Sequence, residues 1–328
     1  MTMLEKTDIQ LGYIPLLDCI ALLWASHQGY FKEQGLNVTL VKEPSWASLR
    51  DRLAFGRLDA AHCLSAMLPA AATGEDHLGI PLQTSLVLSH NRAFISLSQR
   101  LCHHLNISIH DTPLQSSQKI MHAIQRGQNI HFAHVFKQSI HHYILREWLG
   151  LADENIASQY RFSSLPPPYM VEAISSHLID GFCVGEPWNT QAEIEGFSRI
   201  ILSSEDIIPT MPDKVVAFTA DWALQHPRTL QALTEAIKKA QQDLKNPDFF
   251  HEIWSLLKAY DIIRFQCSAD IHVEAFHRIM KIINSFSNNQ KPQVTDFEWI
   301  IRKMQKENNL YLSEPDVMNI AKDCIYQA

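Results

Sequence analysis

The chain has 328 residues, 46% of them hydrophobic and 19% charged, a balance that suits a buried core and excludes disorder as the main state. Its 28 Lys and Arg against 35 Asp and Glu leave a net charge of −7 with no basic run, which excludes direct nucleic-acid binding by phosphate neutralisation as the main function. At about 150 residues per domain the length suggests two domains.

In chain order, the first eight residues carry Glu5 and Asp8 where a secretory leader would be basic, and the apolar stretch that follows is interrupted by Pro15 and Asp18. With Met1 as the start, the expectation is a cytoplasmic protein. No window reaches the roughly 18 uninterrupted apolar residues of a membrane span. Residues 9–14 alternate as a strand, 17–29 have helical spacing, and 36–41 alternate again, the order of a βαβ unit with a parallel sheet. Ser45 caps a short helix that ends near Gly56, and 58–62 read as a short strand entered through Asp59. About 120 residues further on the pattern returns: 170–177 read as a helix and 178–184 as a strand entered through Asp180, after the stiff Pro166-Pro167-Pro168 loop. This echo fits two related α/β lobes, or two ordinary helix-to-strand joints. Residues 228–244 and 249 onward are helical by period, broken at Asn246-Pro247 and over 285–293.

The chemistry-bearing motifs are mostly absent. The 17 histidines include adjacent pairs, His103-His104 and His141-His142, which face different ways, and there is no HExxH or Cys/His cluster at zinc spacing, so no metal site is expected. GxSxG, GxGxxG and the P-loop are missing, which leaves no ground for an enzyme or a bound cofactor. The six cysteines, Cys19, Cys63, Cys102, Cys183, Cys267 and Cys324, stand singly and read as free thiols. What remains are polar and aromatic residues just beyond strands, where α/β lobes bind ligands. Trp46 walls a ligand or packs between helix and sheet. His62 touches a ligand or satisfies a backbone group, and Glu186-Pro187-Trp188 lines a site or opens a helix.

Gly12-Tyr13-Ile14-Pro15-Leu16, Gly29-Tyr30-Phe31, Ser45-Trp46, Gly56-Arg57-Leu58-Asp59-Ala60-Ala61-His62 and, most specifically, Val184-Gly185-Glu186-Pro187-Trp188-Asn189 carry a resemblance. Over residues 8–230, and more weakly over 292–304, the chain resembles the nitrate- and bicarbonate-binding proteins of ABC transporters. That family includes a signal-less cytoplasmic nitrate sensor that controls an antiterminator with an ANTAR RNA-binding domain. The resemblance implies an α/β, two-lobed periplasmic-binding-protein-like fold of type II, with parallel-rich sheets, flanking helices and a helical C-terminal portion. It puts residues 8–90 and 217–328 in lobe one and 95–210 in lobe two. Hinges fall near 91–95 and 209–216, and the lobes close over a ligand in the cleft.

By the same resemblance Trp46 of the Ser-Trp string walls a small anion. His141 of Ser139-Ile140-His141-His142-Tyr143 donates to it, and Lys214 of Pro212-Asp213-Lys214-Val215 is its main electrostatic anchor. Asn91 and Arg92 belong to the altered string Asn91-Arg92-Ala93-Phe94, where the family carries a glycine at the Arg92 position and an amide at the Ala93 position. Arg92 brings a guanidinium suited to a flat oxyanion or carboxylate. The family's Ser-Pro-Met-Pro loop is altered here to Ser65-Ala66-Met67-Leu68. The anion stays open among nitrate, nitrite, bicarbonate and others of their kind. Two functions follow: a cytoplasmic anion sensor acting through a protein partner such as an ANTAR antiterminator, or a substrate-binding protein serving an ABC permease. A third, a thiamine-pyrimidine-precursor enzyme of the same fold, needs a Cys-rich iron-binding string that single residues such as Cys63 and Cys183 do not supply.

Overall fold

Alternation decides the first element: Ile9 and Leu11 point into the core while Asp8 and Gln10 stay in water, making β1 (Asp8–Tyr13). In the computed structural model, which describes residues 3–265, 272–288 and 290–327, β1 lies beside β2 (Asn37–Lys42) and β3 (Ala60–Leu64), parallel to both. The sheet continues with a strand from far along the chain, Pro212–Thr219, and ends with β4 (Leu82–His90), both of these last pairings being antiparallel. The second sheet is built from β5 (Ala93–Ser98), β6 (Phe132–His134), β7 (Ser163–Ser164), β8 (Gly181–Gly185) and β9 (Ser198–Ser203), in the order β7-β6-β8-β5-β9. Numbering the late strand of the first sheet β10, its order is β2-β1-β3-β10-β4. The β7–β6 and β6–β8 pairings are parallel, and β8–β5 and β5–β9 antiparallel. Both sheets are therefore mixed, with the same sequence of pairings.

The chain divides into two compact units: Met1–His90, Pro212–Ile263 and Met280–Ala328 form the first, and Asn91–Met211 with Arg264–Ile279 form the second. The sequence reading keeps 217–328 in one lobe, whereas this division groups 264–279 with the second unit. In the first unit the helices Ile20–His27 and Pro227–Asp243 supply core residues such as Trp24, Leu233 and Ile237 beside Ile9, Val215 and Phe218 of the sheet. In the second, the helices Pro113–Gln125 and Ile140–Gly150 bring Ile120, Ile144 and Trp148 into a core with Phe132 and Phe182. Residues 17–29 are not one helix: a 3-10 turn at Leu17–Cys19 leads into Ile20–His27, and Gly29, with φ of 76°, separates it from Tyr30–Glu33. Towards the C-terminus the helices are Phe250–Ala259, Val273–Ser285, Val294–Asn308 and Glu314–Asp323.

Cys19, Cys63, Cys102, Cys183 and Cys324 are buried free thiols, and Cys267 lies outside the described residues. Among the described residues no helix is long and apolar enough to cross a membrane, and no group of three or more His, Cys, Asp or Glu could hold a metal ion.

The echoed joints do the same work in the two sheets. Before β3, Asp59 accepts the Gln10 N–H at 2.9 Å while its own N–H donates to the Gln10 carbonyl at 2.9 Å. Before β8, Asp180 accepts the His131 N–H at 3.0 Å, and its N–H donates to the His131 carbonyl at 2.7 Å. Each aspartate clamps the entry of a central strand to its parallel neighbour, which is why β3 and β8 start after the acid rather than at the hydrophobic residue before it. Asp59 also accepts from Lys6 at 2.6 Å and from the Trp222 indole at 2.8 Å. Asp59→Ala is expected to lower unfolding free energy by about 1–3 kcal/mol, with Asp59→Asn losing less, as read by urea denaturation.

Candidate functional site

One buried polar group stands out in the first unit. Asp18 follows β1 in the Leu17–Cys19 turn, His62 lies on β3, Ser89 on β4, and Asp213 and Lys214 on β10, so neighbouring strands of one sheet bring them together. The Ile14 N–H donates to His62 Nδ1 at 3.4 Å, which leaves the ring proton on Nε2 to be donated to Asp18 Oδ1 at 2.8 Å. Ser89 Oγ donates to Asp18 Oδ2 at 3.0 Å. Lys214, 0% exposed, holds its Nζ 2.8 Å from Asp213 Oδ2 and 3.4 Å from Asp18 Oδ2. The β10–β4 register shifts between Pro212 and Lys214, an irregularity of the kind that redirects side chains, and the Asp213 carboxylate meets the ammonium of its own chain neighbour.

The electrostatics follow from burial and pairing. Burial pushes the Asp18 carboxyl upward, but the Lys214 ammonium and then His62 outweigh it and hold the group below the usual carboxylate range. Burial pushes Lys214 downward, and Asp18 and Asp213 outweigh that, so the lysine titrates above its ordinary value and is charged. An uncompensated ammonium at this depth would be very costly, and the two carboxylates are what make it tolerable.

Trp46 opens the helix Trp46–Ala54, where Ser45 Oγ accepts the Ser48 N–H at 3.2 Å. Its ring lies 5.6 Å from the His62 ring, and Lys214 Nζ stands 5.8 Å from its centroid. Trp46 is 1% exposed, and its indole N–H has no acceptor. A buried donor without a partner costs about 1–3 kcal/mol and marks a place where an acceptor belongs. The arrangement therefore offers a small acceptor-rich group an N–H donor, an aromatic wall and a nearby ammonium. A groove of about 540 Å³ elsewhere on this unit, lined by residues that include Gln83, Asp221, Lys322 and Tyr326, holds none of the candidates.

Of the residues singled out in the sequence, Trp46, His62 and Lys214 are thus brought together. Lys214, expected to anchor an anion electrostatically, already has two carboxylates beside its ammonium. Asn91, Arg92, His141 and Glu186 belong to the second unit. The Asn91 amide donates to the Pro209 carbonyl at 2.6 Å and accepts the Met211 N–H at 2.8 Å, which pins 208–211 to the start of β5. Arg92 pairs with Glu205 at 2.5 Å near the surface. His141 is buried in the first turn of Ile140–Gly150, a helix capped by Ser139. Glu186 accepts the Thr190 N–H at 3.0 Å and the Thr190 hydroxyl at 2.7 Å, the capping arrangement of a helix start, with Arg278 3.7 Å away. Burial raises the Glu186 pKa.

Sequence reasoning passed over Asp18, Ser89 and Asp213 as site residues. Asp18 did carry a signal, being a lone acid inside the apolar run Leu16 to Leu23, where burial demands a partner.

Two units, each a five-stranded mixed sheet with flanking helices, make the periplasmic-binding-protein fold, the class to which solute-binding proteins belong. The crystal structure of the periplasmic nitrate-binding protein NrtA from Synechocystis PCC 6803 superposes with a TM-score of 0.82 at 23% identity, covering 98% of this chain and 86% of that one. The alkanesulfonate-binding protein SsuA from Xanthomonas axonopodis pv. citri, bound to MOPS, gives 0.67 at 14% identity, covering 98% and 99%. The chain belongs to the NMT1-like family, whose model matches residues 2–258. It is 33% identical over 259 residues to the bicarbonate transport ATP-binding protein CmpC of Synechocystis, covering 77% of this chain and 38% of that protein. To the nitrate/nitrite binding protein NrtA of Nostoc it is 30% identical over 243 residues, covering 73% and 54%. The chain thus spans from about a third to somewhat over half of such curated relatives, 35% of one and 57% of another.

Because the folded-state pKa of Asp18 is depressed, its stabilisation is present above the ordinary value of 3.8 and is lost as the pH falls through the folded value. Asp18→Asn is accordingly expected to cost on the order of 3 kcal/mol at neutral pH. The gap to wild type should close progressively in acid, below the ordinary carboxylate pKa, as read by urea unfolding across a pH series.

Proposed function

We propose that this chain is a non-enzymatic solute-binding protein for a small oxyanion of the nitrate, nitrite or bicarbonate class. The observation that carries this reading is the buried Trp46 N–H, which lacks an acceptor beside a buried ammonium. A trigonal oxyanion supplies oxygen acceptors, carries a charge complementary to Lys214 and is flat enough to lie against an indole ring.

The relatives named for bicarbonate and nitrate transport favour service to an ABC permease. The second reading is a cytoplasmic sensor that reports the anion to a protein partner such as an ANTAR-type antiterminator. Five described cysteines kept as free thiols, as in a reducing compartment, support it. Cell fractionation separates the two: an extracytoplasmic pool selects the transport reading, and a cytoplasmic pool selects the sensor.

Calorimetric titration of the full chain with nitrate, nitrite and bicarbonate should give saturable binding of at least one of them. Trp46→Phe keeps the aromatic wall and removes the N–H, so affinity should fall about tenfold with little change in melting temperature. Silence from all three anions in the wild type would overturn the reading.

A further inference from the structure

The second unit holds a cavity of about 330 Å³ in which every ionisable lining residue among those described is basic. Thr112 caps the helix Pro113–Gln125 by accepting the Gln115 N–H at 3.2 Å, and helical spacing sets Lys119, His122, Ala123 and Arg126 along one face, at i, i+3, i+4 and i+7. Ile120 and Met121 turn into the core instead. The helix Gln99–Leu105 brings His104 and Leu105 to the same cavity. The Gln128 amide nitrogen lies 3.1 Å from His104 Nε2 and joins the turn after one helix to the end of the other. Lys119 Nζ donates to the Asp111 carboxylate and to the Asn106 carbonyl, both at 2.6 Å, so its ammonium is fixed in place. Asp111 offsets part of that charge from outside the lining, which leaves the Arg126 guanidinium as the main cation facing a ligand. Helix stability does not explain the arrangement. The macrodipole favours a cation in the last turn, but His104 comes from another helix, and pairing along a helix favours carboxylates between the cations, of which this stripe has none.

We propose that this cavity is a second ligand site, specific for a phosphate group, carried either by free orthophosphate or by a small phosphomonoester, and independent of the Trp46 and Lys214 reading of the first unit. A planar guanidinium meets two phosphate oxygens at once, and the resulting charge-assisted bonds are the strong ones. The Lys119 ammonium, with two of its three N–H groups committed, keeps one to donate, and the His122 ring and the Gln128 amide supply neutral donors. A phosphate carries about −1.5 to −2 charge at pH 7, so it gains more from an acid-free lining than a monoanion does. The volume is near the lower end for small-molecule sites, about 300 Å³, enough for a phosphate and a few carbons against Leu105 and Ala123.

The test is calorimetric titration of the full chain in chloride buffer at pH 8 with orthophosphate and with glycerol 3-phosphate. Wild type should saturate with at least one of them below about 10 mM. Saturation by both assigns the site to the phosphate group itself, and saturation by the ester alone assigns it to an organic phosphate. Arg126→Gln, a change at an exposed position, should weaken binding at least tenfold with the melting temperature unmoved. Arg126→Lys, which keeps the charge and loses the fork, should fall between the two. The proposal is overturned if neither phosphate saturates the wild type, or if Arg126→Gln titrates as wild type does, which would seat the phosphate elsewhere on the chain.

Discussion

The buried ammonium of Lys214, held between Asp18 and Asp213, is the constraint around which the first unit is arranged. A lysine with no exposure survives folding only if its charge is matched, and the matching groups come from different elements. Asp18 stands at the end of β1's extension, itself fixed by His62 of β3 and Ser89 of β4, while Asp213 and Lys214 arrive on β10. These contacts need β1, β3, β10 and β4 in their observed places. A sheet with β10 left out would lose the lysine and leave Asp18 without its cation. The ion group is thus a check on topology as well as a candidate binding element.

The topology has its own logic. In each sheet the strand next to the centre on the antiparallel side comes from a part of the chain remote from its parallel neighbours: β10 in the first, β5 in the second. Around it the two sheets repeat the same pattern, and the clamps at Asp59 and Asp180 secure corresponding strands, β3 and β8, to their parallel partners. β10 lies between β3 and β4, so its side chains meet residues from both neighbours. The β10–β4 register shifts on both sides of Lys214, the stretch that carries the ion group.

Much of the fold was legible because it rests on local rules. Alternation predicted β1 and β2, Ser45 and Gly56 bounded a helix, and the paired Asp-small joints fitted two related lobes as well as two ordinary helix-to-strand joints. Strand starts were less legible. The apolar residues Leu58 and Ile179 look like strand residues, yet the acid after each one turns its side chain back onto a neighbouring backbone and delays the strand. Within the candidate site, Trp46 and Lys214 were identified from the family's strings and His62 from its place at the end of a strand, and the carboxylates beside Lys214 were not identified. Asp18 and Lys214 are far apart in sequence, so no spacing rule links them, and Asp213 was masked by being a neighbour of the residue of interest. Glu186 illustrates the opposite case: a specific motif drew attention to it, and its contacts are those of a helix cap.

The group also shows how a buried polar cluster can be held inside a stable unit without spending much of its stability. The Trp46 N–H is a buried donor without an acceptor, and its desolvation costs about 1–3 kcal/mol. Every other polar atom discussed around it is balanced: His62 by Ile14 and Asp18, Asp18 by three donors, and Lys214 by two carboxylates. A design of that form is stiff, because moving Lys214 would uncover Asp18, and moving Asp18 would release His62 from the wall that packs against Trp46. Stiffness matters for a small ligand, which makes so few contacts that displacement of a single donor removes a large share of its binding energy.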